Sequence, residues 1–291
     1  MILGAHESIA GGLAKAFERA VEDTASSIQL FTKNARGWKA KPLDPGEAAA
    51  FREAAARTGI PVVAHATYLI NLGAEEPELR EKSVAGLADE LARCETLGIR
   101  WLVLHPGGNA DLDRGIELIA DGLDEAIGRS GARTAGVLLE TTAGQGASIG
   151  WQFEHLARIL ERSKASKRIA VCLDTCHLFA AGYELASPEG YAKTMRSLDG
   201  TLGIELVEAV HLNDCKKPLG SRVDRHEEIG EGLIGLQGFA PILTDPRLEK
   251  ALGILETPEP KKYRENLEKL RSLLSPRPSR PRKPAKRRAG K

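Results

Sequence analysis

Three observations predict an α/β fold, a single-domain TIM (β/α)8 barrel. Eight short apolar runs each precede a helical stretch, an alternation that implies parallel strands joined by right-handed crossovers. The eight units fill roughly 275 of the 291 residues, the usual size of such a barrel. Almost every apolar run ends in His, Asp or Glu, at the strand terminus where barrel enzymes collect their chemistry. A doubly wound open sheet is the structural alternative, but it gathers ligands in one crevice rather than from strand ends around a ring.

The units follow in order. Ile2–His6 is a short run ending in His, followed by Gly11-Gly12 and a helical pattern over 13–25. Residues 27–31 make the second strand, 32–38 (T-K-N-A-R-G-W) an exposed loop, and Pro45–Thr58 a helix stopped by Gly59. The third strand, 60–64, ends in His65; its loop 66–72 leads to the amphipathic helix Pro77–Leu97, closed by Gly98. Trp101–Leu104 ends in His105, and a helix over 113–129 follows. Strand 135–139 ends in Glu140, and the glycine-rich loop 141–150 leads to a helix over 151–161. Strand six, 169–173, runs into V-C-L-D-T-C-H-L-F-A-A-G-Y, with Asp174 at its end and His177 a short turn away; the next helix spans 188–198. Strand seven, 206–210, ends in His211, and the long loop 217–232 carries Asp224 and His226. A short helix over 236–243, a strand over 251–255 ending in Glu256, and the helix Tyr263–Leu274 complete the barrel.

An apolar fraction of 42% and a charged fraction of 28% are those of a soluble globular protein. No apolar run approaches the ~20 residues that span a bilayer. The N-terminus has neither a basic stretch nor a long apolar one, so no secretory signal is expected. Cys94, Cys172, Cys176 and Cys215 are scattered through apolar contexts, which predicts reduced thiols in a cytoplasmic protein. Cys172 and Cys176 are read as packed thiols rather than as a zinc pair. The segment 276–291 holds eight Lys or Arg, four Pro and no acid, so it is expected to be a disordered basic tail beyond a catalytic domain at 1–275. Removing its eight charges from the net +1 leaves about −7 for residues 1–275. Such a tail suits a nucleic-acid backbone, and equally a solubilising terminus.

The polar residues at or just past strand ends are His65, His105, Glu140, Asp174, His177, His211, Asp224, His226 and Glu256. Five of the seven histidines are among them. In a barrel these positions converge on one mouth, where five imidazoles and four carboxylates need cations to coexist. A His and carboxylate set favours catalytic Zn²⁺ or Mn²⁺. Nine donors exceed one tetrahedral ion and suit two or three, the arrangement used for phosphoryl chemistry. His6 is read as a supporting residue behind a ligand, and His155 as a surface residue of its helix. No G-x-G-x-x-G, G-x-S-x-G or G-x-x-x-x-G-K-[ST] signature competes.

Long motifs carry a resemblance to a known family. They include G-A-H-E-S-I-A-G-G (4–12), F-T-K-N-A-R-G-W (31–38), H-A-T-Y-L-I-N-L-G (65–73), H-P-G (105–107) and L-E-T-T-A-G-Q-G (139–146). C-L-D-T-C-H-L-F-A-A-G-Y (172–183), H-L-N-D (211–214), G-S-R-V-D-R-H-E-E-I-G-E-G (220–232) and L-E-T (255–257) complete the set. Over residues 1 to about 274 the chain resembles the endonuclease IV family of apurinic/apyrimidinic (AP) endonucleases. The resemblance implies a trinuclear zinc centre, with Mn²⁺ a possible occupant of one site, cutting double-stranded DNA on the 5′ side of abasic sites. It implies His65 and His105 on the first ion and Glu140 bridging to the second. Asp174, His211 and Glu256 would complete the second, and His177, Asp224 and His226 would hold the third. Glu256 is the expected residue to orient or deprotonate the attacking water, with Glu140 the second catalytic carboxylate. The family's DNA-intercalating positions fall on Arg36, Tyr68 and Leu69. Also expected are a 3′-hydroxyl and a 5′-deoxyribose phosphate as products, a 3′-end-cleaning side activity, and a monomer that associates with the nucleoid through its DNA. The rival reading is a metal-dependent sugar isomerase or epimerase on a related barrel. That reading gives no reason for Asp224 and His226 as an additional pair, nor for an exposed Arg36 and Tyr68.

Overall fold

In the computed structural model, which describes residues 1–274, the chain alternates strand and helix from its first residues. In order it forms β1 (Ile2–His6), α1 (Lys15–Glu22), β2 (Ile28–Phe31), α2 (Pro45–Thr58), β3 (Val62–His65), α3 (Pro77–Leu97), β4 (Trp101–Leu104) and α4 (Leu112–Arg129). It continues through β5 (Gly136–Glu140), α5 (Phe153–Arg162), β6 (Ile169–Asp174), α6 (Thr175–Ala181), α7 (Pro188–Thr201), β7 (Val207–His211), β8 (Asp214–Cys215) and β9 (His226–Glu227). The last elements are α8 (Gly235–Thr244), β10 (Leu252–Leu255) and α9 (Tyr263–Leu274). Eight strands close a barrel in the order β1-β10-β7-β6-β5-β4-β3-β2, every pairing parallel. Residues 276–291, the expected basic tail, lie outside the described residues. Among the described residues no helix is long and apolar enough to cross a membrane.

Element ends follow local chemistry. Asp44, Glu76 and Asp111 cap α2, α3 and α4 by accepting from backbone N–H groups of the first turn, and Pro occupies the first turn of α2 and α3. Gly59 and Gly98, at φ of 66° and 76°, end α2 and α3 as expected. β3 begins at Val62 rather than at residue 60, because Pro61 has no N–H for the ladder. Gly4 is obligatory: a β-carbon there would lie 1.8 Å from the Ser27 carbonyl oxygen, so only glycine lets the first two strands meet.

The pleat positions the site. Val63, Val103, Leu138, Cys172, Ala209 and Ile254, together with Ala170, form a small apolar cluster separate from the larger one between strands and helices. Side chains on one face of a strand recur every second residue. One step further along the same six strands stand His65, His105, Glu140, Asp174, His211 and Glu256. The barrel interior is therefore apolar below and ionisable above, and the same alternation specifies both layers.

Three local features differ from the sequence-based expectation. The segment after β6 is more than a short turn: Asp174 accepts from His177 N–H and caps the additional short helix α6, which ends at Gly182 with φ 107°. The long loop after β7 contains the two-stranded antiparallel pair β8–β9, with Cys215 opposite His226. His155 is not a surface residue but 3% exposed, with Gly150 N–H donating to its Nδ1 at 3.3 Å and its ring edge-on to Trp151.

Candidate metal centre

Glu140, fully buried at the end of β5, stands at the middle of the site. Its Oε2 lies 3.3 Å from His65 Nε2 and 3.0 Å from His105 Nε2. Its Oε1 lies 3.1 Å from His211 Nδ1 and 3.2 Å from His177 Nδ1. Donor atoms of His65, His105 and Glu140 fall within 4.8 Å of one another, and so do those of Glu140, Asp174, His211 and Glu256. Two further groups adjoin these: Asp174, His177 and His226, and Cys176, Asp224 and His226. Asp224 links them, 3.2 Å from His177 Nε2 and 3.4 Å from His226 Nε2. All nine residues singled out from the sequence thus meet at the mouth. Both cysteines are packed as expected, Cys172 in the lumen and Cys176 in the larger core, and Cys176 also lies within reach of Asp224 and His226.

The imidazoles are held in defined orientations. Nδ1–H of His65 donates to the Ala66 carbonyl at 2.7 Å, and that of His226 to the Glu256 carbonyl at 3.1 Å. His177 Nδ1 is 2.8 Å from the Thr141 carbonyl, and His211 Nε2 is 2.8 Å from Gln29 Oε1. Committing one ring nitrogen to an oxygen leaves the other as a lone pair, which is how metal-binding histidines are oriented. Asn213 does the same for a carboxylate: its Nδ2 donates to Asp174 Oδ2 at 2.7 Å, while its Oδ1 accepts from Glu256 N–H at 2.9 Å. Thr141 Oγ1 accepts from Asp174 N–H at 2.9 Å. Gln29, Asn213 and Thr141 were not singled out from the sequence. Asn213 could have been, since it follows His211 in H-L-N-D; a polar residue inside an apolar strand, as Gln29 is, offers no such signal.

The electrostatics fit cations. Burial disfavours charge on Glu140, but His105, His211 and His177 outweigh it and hold its carboxyl well below the ordinary range. Glu256 behaves alike: burial is overcome by His211, His6 and His65. Burial likewise opposes charge on His177 and His211, yet Asp174, Asp224 and Glu140 around the first, and Cys172, Glu256 and Glu140 around the second, push both upward. Glu140 Oε2 and His226 Nε2 are buried without any hydrogen bond. A carboxylate oxygen and an imidazole nitrogen left unpaired at the same site are what a bound divalent ion satisfies. His6 does not enter a donor group; its Nδ1 is 3.1 Å from Glu256 Oε1, behind the site.

Tyr68, 57% exposed, stands on the rim with ring centroids 5.2 Å from His65 and 5.9 Å from His105. Leu69 beside it is half-buried, and Arg36 is exposed on the loop after β2. A cavity of about 390 Å³ opens between Tyr68, His105, His177, Asp224 and Arg225.

Residues 17–273 match the family described as the xylose isomerase-like TIM barrel. A relative from Chloroflexus aurantiacus, named "Probable endonuclease 4", is 48% identical over 277 residues, which span 93% of this chain and 97% of the relative. The crystal structure of endonuclease IV from Thermus thermophilus superimposes with a TM-score of 0.86 at 41% identity, covering 94% of this chain and 99% of that one. A D-tagatose 3-epimerase-like protein shares the fold alone, with a TM-score of 0.70 at 19% identity over 94% of this chain and 97% of its own.

Proposed function

From the chain's membership of the endonuclease IV family, we propose that it is a DNA-repair nuclease that hydrolyses the phosphodiester bond 5′ to abasic sites in duplex DNA. The observation that carries this reading is Glu140, whose two oxygens face two different donor groups, as a carboxylate shared between neighbouring ions must. His65, His105 and Glu140 would hold one Zn²⁺; Glu140, Asp174, His211 and Glu256 a second; and His177, Asp224 and His226 a third. Mn²⁺ is the alternative at one of them. When bound, such ions supply positive charge to phosphate oxygens and acidify water.

The chain's own residues supply the rest. Glu256, its carboxyl held ionised, is positioned to take the proton of a water that attacks phosphorus. The new P–O bond forms as the bond to the 3′ oxygen breaks. The products are a 3′-hydroxyl and a 5′-deoxyribose phosphate. Tyr68 and Leu69 present an aromatic and an apolar wedge above the mouth, and Arg36 a cation beside them. An abasic site lacks one stacked base, so extruding it costs less than flipping an intact nucleotide, and an inserted wedge offsets the remaining loss.

The test is incubation of the full chain with a duplex carrying one synthetic abasic site, alongside an intact duplex, with and without chelator. Metal content is measured by mass spectrometry on the same preparation. Incision 5′ to the lesion, abolished by chelator, with close to three zinc per chain, is the expected outcome. No incision by a fully loaded protein would overturn the proposal and direct the search to sugar substrates.

A further inference from the structure

Strand β2 supplies no candidate ligand, yet its Gln29 reaches the centre with no exposed surface. Three contacts radiate from the side-chain amide. Oε1 accepts from His211 Nε2 at 2.8 Å, Nε2 donates to Glu256 Oε1 at 2.5 Å, and the same nitrogen lies 2.9 Å from His6 Nδ1. The oxygen accepts and the nitrogen donates, so both ends of the amide are engaged.

We infer that Gln29 is a positioning residue for the metal centre, orienting His211 and Glu256 together. The inference rests on the proposed function. The amide can face only one way, because turning it over would set its oxygen against the Glu256 carboxylate, which can only accept. In the allowed orientation the His211 hydrogen resides on Nε2. That leaves Nδ1 as a lone pair toward Glu140, Asp174 and Glu256, at 3.1, 3.8 and 3.2 Å. His6 Nδ1–H donates to the same Glu256 oxygen at 3.1 Å, so His6 buttresses the carboxylate from beside the amide without entering a donor group. The backbone does not make this link directly: β2 pairs with β1 and β3, whereas Glu256 and His211 stand at the ends of β10 and β7, two and three strands round the barrel. One amide therefore ties together ligands on strands that β2 does not pair with. Groups that orient metal ligands in this way typically contribute ~10–100-fold to metal affinity.

Gln29→Leu keeps the volume and removes all three contacts; Gln29→Asn keeps the chemistry but is one methylene too short to span them. Each is compared with the full-length wild type for zinc bound per chain, rate of zinc release to a chelator, and the visible spectrum of the cobalt-loaded protein. Thermal unfolding of the metal-free forms serves as the folding control. Expected are folded variants that release at least one ion ~10–100-fold faster, with an altered cobalt spectrum. A residue that only fills the core would lower the metal-free unfolding temperature and leave release and spectrum unchanged. That result in either folded variant overturns the inference and leaves the metal centre standing. A wild-type chain that takes up no zinc would instead overturn the metal centre itself, and this inference with it.

Discussion

At Glu140 a single side chain decides whether the two main donor groups are separate or joined, since each of its oxygens faces a different pair of histidines. Glu140→Gln preserves shape and removes charge. It is expected to lower incision on the order of 100-fold or more and to reduce zinc per chain, and a normal rate with normal zinc would exclude the bridging role. The charged cluster also sets a pH dependence. His177 and His211 are raised from an ordinary 6.5, so their contribution to stability is complete below that value and is lost as pH rises through their folded-state values. Glu140 and Glu256 are lowered from 4.5, so their contribution is complete above that value and is lost as pH falls through theirs. Metal-free protein should therefore gain most from this cluster between about pH 4.5 and 6.5 and lose unfolding temperature on the alkaline side. Zinc-loaded protein, whose histidines bind as neutral rings, should lack that alkaline loss. Unfolding scans of both forms from acid to alkaline pH check it, and coincident pH curves would contradict it.

Between elements, two buried carboxylates do for loops what Glu140 does for ligands. Glu90 of α3 accepts from Thr67 N–H at 3.0 Å and lies 3.6 Å from the buried Lys33 amine, while Thr67 Oγ1 donates to the Ala35 carbonyl at 2.5 Å. The loops bearing Arg36 and Tyr68 are thereby fixed to each other. Glu90→Gln should weaken binding to an abasic duplex about tenfold, roughly the ~1–3 kcal/mol of an impaired buried hydrogen bond, with zinc content unchanged. Unchanged binding would show that the two loops do not act as a unit. Asp214 accepts from the N–H groups of Cys215, Gly230, Gly232, Ile234 and Gly235, closing the excursion that carries Asp224 and His226. Asp214→Ala should speed amide exchange across 216–235 and loosen the ion proposed to sit on Asp224 and His226; exchange rates like those of wild type would refute the anchoring role.

Element order was legible because hydrophobic runs and Pro–Gly punctuation are local signals, and the site because strand ends converge in any barrel. What escaped depends on partners distant in sequence. Asp174 read as a strand end conceals its second role as the cap of α6. β8 and β9 are two residues each and exist only as a pair. His155 looked solvent-facing because an imidazole is polar and Glu154 precedes it, whereas it packs edge-on to Trp151 and accepts from Gly150 N–H. Gln29 acquires its meaning from residues 182 and 227 positions away.

For the whole molecule, charge is divided between a domain near −7 and a terminal segment with eight basic residues. Deleting 276–291 should weaken binding to undamaged DNA and flatten its dependence on salt, without slowing single-turnover incision. An identical salt slope would show that the segment does not touch DNA. The closure of the barrel has a further consequence, for the chain as it is synthesised. β1 pairs with β10, so the sheet has free edges until the last strand arrives, and Glu256 is the last proposed ligand to be made. His65 precedes it by roughly 190 residues, some 10–40 s of translation at about 5–20 residues per second. Throughout that interval a ribosome-bound chain has neither a closed ring nor the carboxylate that would take a proton from water. A fragment that stops before β10 is therefore expected to bind less zinc than the full chain and to leave an abasic duplex uncut.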